Sequence, residues 1–158
     1  MRAGALPLSA RRSGRPPHAE TSQIHEKILD VATGLFFTEG YGATSIEAVA
    51  RRARIAKQTI YHRFENKPAL FRAVVQRVIE RLKPPDADHL FDGNDFTETL
   101  NRLARAILHA TLSDEALAVH RVVLAEADRF PELALIVSEQ GTRAEAIKAI
   151  AKLLEANA

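Results

Sequence analysis

The sequence predicts an all-α fold of about eight helices. Along most of the chain, apolar residues recur every three or four positions, which is the spacing of a helix with one buried face. Helix-capping residues, glycines and prolines separate these periodic segments. No alternating strand pattern and no internal repeat occurs. The 158 residues suffice for one ordinary domain, or for a small module with a modest companion, and either can bury a core.

The composition argues against several classes of protein. Cysteine is absent, which excludes disulfides, thiolate metal sites and a catalytic cysteine. The longest apolar runs are far shorter than the roughly 20 residues that a membrane-spanning helix needs. The N-terminal arginines are not followed by the apolar core of a signal peptide. We therefore expect a soluble, cytoplasmic protein with no membrane partner.

The charges are divided unequally along the chain. Residues 1–83 carry 15 Lys and Arg against 7 Asp and Glu, a balance of +8. Residues 84–158 carry 7 against 13, a balance of −6. A basic half in a soluble protein indicates a polyanionic partner, nucleic acid first and a membrane surface second. The alternative is a chance division of solvated charges.

Residues 1–20 contain proline, glycine and four arginines but no periodic apolar pattern. This composition predicts a disordered basic arm. Helical periodicity begins near Ser22 and continues to Glu39, and Gly40 is well placed to end the helix. The apolar face of this first helix consists of Ile24, Ile28, Val31, Ala32, Leu35 and Phe36.

Two short helices are predicted next. Thr44, with Glu47 three residues later, matches a capping box and predicts the start of the second helix. A third helix, from Lys57 to about Phe64, follows after the tight connection at residues 54–56. Two short helices joined by such a turn form a helix-turn-helix unit.

A longer fourth helix follows this unit. Asn66 can cap it, and it runs from Lys67 to Lys83, where two prolines end it. Residues 84–94 are typical of a linker. One apolar stripe runs along the helix and consists of Leu70, Phe71, Val74, Val75, Val78, Ile79 and Leu82.

Four further helices are predicted beyond the linker. A fifth begins near Phe96, and Ser113 can cap a sixth that runs to about Arg129. Pro131 suits the first turn of a seventh, which ends near Gly141. The eighth begins at a second capping box, formed by residues 142 and 145.

The third helix has an apolar side and a polar side. Ile60 and Phe64 lie on the apolar side at about 100° per residue, and the opposite arc carries Lys57, Gln58, Thr59, Tyr61 and His62. A major groove admits such a helix, in which Gln can pair with adenine, Lys with guanine, and Thr with a base edge or a thymine methyl group. Tyr offers a ring and a hydroxyl for thymine or phosphate. An ordinary solvated face explains the amphipathicity equally well, but does not need the preceding helix, the turn or the basic arm.

Residues 24–83 resemble the DNA-binding domain of the TetR family of transcriptional regulators. The similarity follows that family's pattern in order and spacing over about 60 residues. Its most specific stretches are FFTEGYG at 36–42, TSIEAVA at 44–50, TIYHRF at 59–64 and NKPAL at 66–70. More loosely, HRVVLAEADRFPELA at 120–134 resembles the ligand-binding and dimerising domain of one branch of the family.

The resemblance implies which residues contact DNA. Thr44 and Lys67, at two helix N-termini, are expected to grip phosphates, as helix starts can. The side chains implied to face the DNA are Lys57, Gln58, Thr59, Tyr61 and His62. The ARRSGRPP stretch of the arm could enter a minor groove, raise affinity through counterion release, or form a solvated tail.

Three features depart from the family's usual pattern. Arg54 stands where glycine is usual; a left-handed arginine costs about 1 to 2 kcal/mol, part of which a phosphate contact can recover. Ala56 stands where serine often caps the recognition helix, a loss of about 1 kcal/mol. Family members generally continue through another long helix that builds the dimer interface. This chain stops at Ala158, which predicts a truncated product or a smaller dimer.

The sequence thus predicts a disordered basic arm at 1–20, a helix-turn-helix DNA-binding domain with its connecting helix at 21–83, and a helical regulatory and dimerisation domain at 84–158. The resemblance implies a ligand-responsive repressor that binds a palindromic operator in double-stranded DNA as a homodimer. It also implies an unknown small-molecule effector. The alternative is a shortened family member that acts as a protein-interaction module or mixed-dimer antagonist.

Other kinds of site find little support in the sequence. His89, His109 and His120 could suggest a metal site, but the sequence has no HExxH and no Glu-x-x-His pair. No GxSxG stretch and no phosphate loop occurs, so we expect neither an enzyme nor a cofactor. A mainly apolar stripe in the acidic half predicts a bundle core, or a pocket for an apolar ligand whose residues stay unknown. It consists of Phe96, Leu100, Leu103, Ile107, Leu117, Val122 and Leu124.

Overall fold

The structure of the chain is a computed structural model that describes residues 17–84 and 95–156. Within those ranges it contains eight helices and no strand. The helices are α1 Pro17–Glu39, α2 Ile46–Ala53, α3 Lys57–Arg63, α4 Lys67–Leu82, α5 Phe96–Thr111, α6 Asp114–Glu126, α7 Glu132–Gln140 and α8 Thr142–Ala156. The predicted all-α fold of about eight helices is confirmed.

Some predictions fall outside the described residues. The predicted arm lies outside them up to residue 16, and so does the predicted linker from residue 85 to residue 94. The predicted capping box at residues 142 and 145 also falls outside, because those side chains are not among the described ones. The same holds for the side chains at positions 17–20, 143, 152 and 156.

Helix α1 begins at Pro17, earlier than the predicted start near Ser22. Proline is tolerated in the first turn of a helix because the first N–H groups have no partner within the helix. The end of the helix is as predicted. Gly40 has a φ of 85°, a left-handed conformation that glycine adopts without strain, and its N–H donates to the Phe36 carbonyl at 3.2 Å.

The start of α2 differs from the prediction by one residue. Ser45, and not Thr44, caps the helix, because the Ser45 hydroxyl accepts from the Ala48 N–H at 3.1 Å. The Thr44 side chain turns inward, where its hydroxyl donates to the Gly40 carbonyl at 2.8 Å. Tertiary packing therefore decides between two adjacent capping residues.

The other helix starts follow local capping chemistry. The Asn66 side chain accepts from the Ala69 N–H at 2.8 Å, and Ser113 caps α6 in the same way, so both predicted caps are confirmed. Asp95 caps α5 by accepting from two N–H groups of its first turn, a cap that the sequence reasoning missed. Helix α6 ends at Glu126, before the predicted Arg129.

Pro131 lies directly before the first residue of α7 and already has helical backbone angles, with φ −62° and ψ −22°. Gly141 follows the helix and donates its N–H to the Val137 carbonyl at 2.7 Å, so the predicted end is confirmed. Helix α8 begins at the next residue.

One hydrophobic core joins the two halves of the chain. The apolar stripe of α4 packs against α1 on one side and against buried residues of α6 and α7 on another. Val119, Val122, Leu133 and Ile136 are the buried contributions of α6 and α7. The position of the helix-turn-helix is therefore tied to α6 and α7 through α1 and α4.

The predicted stripe of the acidic half does not form a closed core. Leu103 and Val122 are buried, but Phe96, Leu100, Leu117 and Leu124 are all exposed, Leu124 to 82%. Helix α5 packs against α6 and α8, which leaves much of its apolar surface uncovered. An open groove of about 430 Å³ between α5 and α8 is lined by Leu100, Leu103, Ala104, Ile107, Leu108, Thr111 and Ile150.

Candidate nucleic-acid interface

The turn between α2 and α3 is built on Arg54. Its backbone is left-handed, with φ 55° and ψ 45°, as expected for the position where glycine is usual. The Arg54 N–H donates to the Arg51 carbonyl at 3.2 Å, and the Ile55 N–H donates to the Ala50 carbonyl at 3.0 Å. This pair of hydrogen bonds is the Schellman motif, which satisfies the last carbonyls of a helix and fixes the direction of the chain beyond it.

Helix α3 begins without a side-chain cap. Ala56 occupies the capping position with extended backbone angles, φ −61° and ψ 135°, and its side chain offers no acceptor, as predicted. The helix has only seven residues, so most of its stability must come from packing.

Two apolar residues attach α3 to the domain. Ile60 is fully buried and Phe64 is 5% exposed, as the helical spacing predicts. The ring of Phe64 stacks on the ring of His25 of α1, with 5.3 Å between the centroids. These contacts fix the rotation of α3 about its own axis, and so fix which residues point outward.

The predicted reading residues lie together on the opposite side of α3. Lys57, Gln58, Tyr61 and His62 are exposed, and Thr59 is half-buried. The face therefore offers an ammonium group, an amide, a hydroxyl, an imidazole and a phenol ring without any large aliphatic side chain. Such a set of donors, acceptors and flat rings can recognise base edges in a major groove.

Basic residues surround the turn. Arg54 is exposed, and so are Arg51 and Arg52 in the last turn of α2, which the sequence reasoning did not single out. The signal that could have found them is their position in the basic half, next to the turn. Three guanidinium groups at this edge favour contact with phosphates.

Lys57 also has a partner within the protein. Its ammonium group forms an ion pair with the Glu47 carboxylate of α2 and lies 5.4 Å from the centroid of the Tyr61 ring. The hydrogen bond from Lys57 holds the pKa of Glu47 below its usual value, and the same bond raises the pKa of Lys57. The pair joins α2 and α3 across the turn, a contact that no local spacing rule predicts.

The two residues expected to contact phosphates, Thr44 and Lys67, lie outside α3. The Thr44 side chain is 1% exposed, so its predicted phosphate contact does not fit this arrangement. Ser45 is exposed at the start of α2, where the first N–H groups and the positive end of the helix dipole favour an anion. Lys67 is half-buried, and its ammonium group donates to the Tyr41 carbonyl at 2.9 Å and to the Thr44 carbonyl at 3.0 Å.

A further contact joins the part of the chain that holds the helix-turn-helix to the C-terminal half. The Glu126 carboxylate, at the end of α6, accepts from the Gly42 N–H through both of its oxygens, at 2.7 Å and 3.0 Å. Sequence reasoning missed this contact because the two residues lie 84 positions apart. Phe130 packs edge-on against Tyr41, with 5.0 Å between ring centroids.

Two other kinds of site find no counterpart among residues 17–84 and 95–156. No group of three or more histidine, aspartate or glutamate side chains there could hold a metal ion. No helix in the same ranges combines the length and the apolar character that crossing a membrane requires.

Sequence profiles of two protein families match the chain. Residues 28–74 match the N-terminal profile described as bacterial regulatory proteins, tetR family. Residues 98–158 match the profile described as the AefR-like transcriptional repressor, C-terminal domain. The first match spans the helix-turn-helix, and the second spans α5 to α8 except for the first two residues of α5.

Known regulators show the same relationship. The HTH-type transcriptional regulator UidR of Escherichia coli K12 is 25% identical over 125 residues, which are 77% of this chain and 60% of UidR. The HTH-type transcriptional repressor ComR of Escherichia coli K12 is 40% identical over 63 residues, which are 40% of this chain and 30% of ComR. The chain thus spans only part of the length of these relatives.

Solved structures extend the match to most of the chain. The flavonoid-responsive regulator FrrA has a TM-score of 0.69 and 31% identity, and the match covers 85% of this chain and 67% of FrrA. A TetR-family regulator from Mesorhizobium loti has a TM-score of 0.60 and 27% identity, with 84% and 70% covered. The helix-turn-helix and the C-terminal half match profiles of known regulators, and the overall fold matches their solved structures. This chain therefore belongs to the TetR family of bacterial transcriptional regulators.

Proposed function

We propose that the chain is a ligand-responsive repressor that binds a palindromic operator as a homodimer. The proposed DNA binding rests on the outer side of α3. Ile60 and Phe64 anchor the helix, and the side chains exposed together on the opposite side are Lys57, Gln58, Tyr61 and His62. A bidentate contact from Gln58 to adenine contributes about 1 to 3 kcal/mol of discrimination between bases. Arg54 and the N-terminus of α2 at Ser45 contact phosphates and so fix the register.

Dimeric binding sets the form of the operator. Two copies of α3 enter major grooves one helical turn apart, about 34 to 36 Å, or a multiple of that distance. A symmetric dimer then reads two half-sites in opposite orientation, which makes the operator palindromic. Such a protein acts in the cytoplasm, where bacterial DNA lies.

The effector is an apolar small molecule that binds in the C-terminal half. The support comes from the groove between α5 and α8, which is lined almost wholly by aliphatic side chains. FrrA is by its name flavonoid-responsive. By analogy, we propose a flat, largely apolar ligand for this chain. The ligand favours a separation of the two reading helices that no longer fits the operator.

Exposed leucines of the C-terminal half support one alternative. Leu108, Leu112 and Leu124 are each at least 60% exposed, and such a surface also suits a partner protein. In that case the chain acts as an interaction module or mixed-dimer antagonist without a ligand response of its own. Light scattering that shows a monomer which still binds a longer relative supports this alternative.

The DNA-binding surface is tested by a mobility shift on DNA upstream of the chain's own gene, across several salt concentrations. We expect the double variant Lys57→Ala, Tyr61→Ala to lose sequence preference and affinity. The matched control is Arg121→Ala, which removes one exposed positive charge from α6 and leaves the reading face intact. Equal binding by the double variant and the control would overturn the assignment of this surface.

The ligand response is tested on the same complex. A panel of flavonoids and other apolar aromatic compounds is added, and DNA affinity is measured with and without each compound. We expect at least one compound to release the DNA. If every compound leaves the affinity unchanged within error, the chain is not a regulator of this ligand class.

A further inference from the structure

The loop between α1 and α2, residues 40–45, is held by a lysine from α4. The Lys67 ammonium group lies 2.9 Å from the Tyr41 carbonyl oxygen, 3.0 Å from that of Thr44 and 3.5 Å from that of Gly42. It also lies 4.3 Å from the centroid of the Tyr41 ring. A lysine has three N–H donors, and three carbonyl oxygens of one loop surround them here.

A glutamate from α6 holds the same loop. Both oxygens of the Glu126 carboxylate accept from the Gly42 N–H, in a charge-assisted hydrogen bond that is stronger than a neutral one. Phe130, four residues beyond Glu126, packs on Tyr41, and the Lys67 ammonium group lies 5.4 Å from its ring centroid. The C-terminal half therefore contacts the loop through the Glu126 carboxylate and through the Phe130 ring.

The loop has room for this carboxylate only because it lacks side chains at two positions. A Cβ atom at Gly42 would lie 2.5 Å from one Glu126 oxygen, and a Cβ atom at Gly40 would lie 2.7 Å from the other. Any side chain at position 42 would push the carboxylate away from the N–H that it binds. The glycines and the glutamate thus form one fitted contact.

The loop leads directly into the reading unit. Ser45, the cap of α2, is the next residue after Thr44, and α2 is joined to α3 by the rigid turn at Arg54. A shift of the loop therefore moves the start of α2 and, with it, the outer side of α3. The position of α3 depends on what holds the loop.

We propose that Lys67 and Glu126 are positioning residues for DNA binding, which hold the α1–α2 loop from α4 and α6, and that Lys67 makes no phosphate contact. Its donors are directed at the carbonyl oxygens of the loop, and burial lowers the pKa of Lys67. The functional part of this inference rests on the DNA binding proposed above. Its structural part, the hold on the loop, does not.

The salt dependence of DNA affinity distinguishes positioning from phosphate contact. A lysine that binds a phosphate contributes about 0.9 to the slope of log affinity against log salt concentration. We expect Lys67→Met to weaken binding to a random-sequence DNA duplex at every salt concentration while the slope stays that of the wild type. Arg54→Met, in the exposed turn between α2 and α3, is the comparison and should reduce the magnitude of the slope, because Arg54 is the residue proposed to contact a phosphate. A slope lowered equally by both variants overturns the positioning role of Lys67.

Glu126 is tested against a carboxylate of the same half that does not touch the loop. Glu139 of α7 pairs with Arg72 of α4 at 2.8 Å, and Glu139→Ala removes the same charge as Glu126→Ala. We expect Glu126→Ala to weaken DNA binding about fivefold or more relative to Glu139→Ala, the lower end of typical coupling between sites. Equal affinities of the two variants contradict the proposal.

Amide hydrogen exchange at Gly42 tests the hold on the loop without DNA. Exchange should be faster in Glu126→Ala and in Lys67→Met than in the wild type, and unchanged in Glu139→Ala. Gly42→Ala keeps both charged residues and displaces the carboxylate, so it should weaken DNA binding like Glu126→Ala even if Lys67→Met fails to fold. Unchanged Gly42 exchange in Glu126→Ala overturns the structural part. Absence of DNA binding by the wild type, with faster exchange in the variant, contradicts only the proposed function.

Discussion

Replacing Arg54 with glycine should make the protein more stable and its DNA binding weaker. Among residues 17–84 and 95–156, Arg54 is the one residue other than glycine with a positive φ. At φ 55° and ψ 45° an L-residue pays about 1 to 2 kcal/mol that glycine does not pay. The greater freedom of glycine in the unfolded chain offsets about 0.4 to 1 kcal/mol of that gain. Both hydrogen bonds of the Schellman turn come from backbone N–H groups, so glycine keeps them.

The expected net gain is about 0.5 to 1 kcal/mol in the free energy of unfolding. In a chain of this length, 1 kcal/mol moves the midpoint of thermal unfolding by about 2 to 4 °C, so the midpoint should rise by roughly 1 to 4 °C. Loss of the guanidinium group should reduce the magnitude of the slope of log DNA affinity against log salt concentration by about 0.9, which is the contribution of one phosphate contact. Thermal denaturation followed by circular dichroism and a mobility shift across salt concentrations measure the two effects.

Arg54→Ala separates the two effects, because alanine removes the charge but keeps the left-handed strain. It should lower the salt slope as Arg54→Gly does and leave the midpoint near that of the wild type. A midpoint lowered by Arg54→Gly would show that the turn is not strained. A salt slope unchanged in both variants would show that Arg54 stays away from the phosphates.

Three further predictions concern the helix starts and the reading face. Ala56→Ser supplies the missing cap of α3 and should raise the free energy of unfolding by about 1 kcal/mol; a denaturant titration that finds no gain rejects a capping role for position 56. Ser45→Ala removes the cap of α2 and should cost about 1 kcal/mol in the same assay, whereas an unchanged midpoint means that packing alone holds the helix. Gln58→Ala should reduce discrimination at one base pair by about 1 to 3 kcal/mol in competition binding against a library of operator variants, and an unchanged base preference removes Gln58 from the readout.

The elements that sequence predicts well are those whose causes are local. Asn66 and Ser113 cap the helices that follow them because a short polar side chain reaches an N–H three residues ahead. The apolar side of α3 follows from helical spacing, which places Ile60 and Phe64 inward. The glycine that the family usually has at position 54 indicated that a left-handed backbone was possible there, and the structure has it.

The errors arise where burial or distant residues decide. Thr44 and Ser45 are equally good caps by sequence, but the Thr44 side chain is buried and its hydroxyl donates to the Gly40 carbonyl four residues earlier, so Ser45 caps the helix. The hydrogen bonds of Lys67 were also not predicted, because the carbonyl oxygens that accept from its ammonium group belong to a loop more than twenty residues earlier. The apolar stripe of α5 has the spacing of a core helix whether or not another element covers it.

Contacts between exposed side chains are also difficult to predict from sequence. Lys57 and Glu47 are ten positions apart, and only the sharp turn between α2 and α3 brings their charges together. In the proposed complex with DNA, the DNA would therefore compete with Glu47 for Lys57. The side chains are predictable as a group, but their partners in the free protein are not.

Because of the contact between Gly42 and Glu126, the substitutions that each of these two distant positions tolerates depend on the residue at the other. With glutamate at 126, alanine at 42 displaces the carboxylate; with a small residue at 126, the same alanine meets mainly the Phe130 ring edge, 3.1 Å from its Cβ atom. A lineage that first shortens residue 126 can then change residue 42, whereas the reverse order passes through an intermediate that retains an unanchored glutamate. Related chains should therefore vary at these two sites in concert, and a glycine kept at 42 should mark those in which an acidic residue still ends α6.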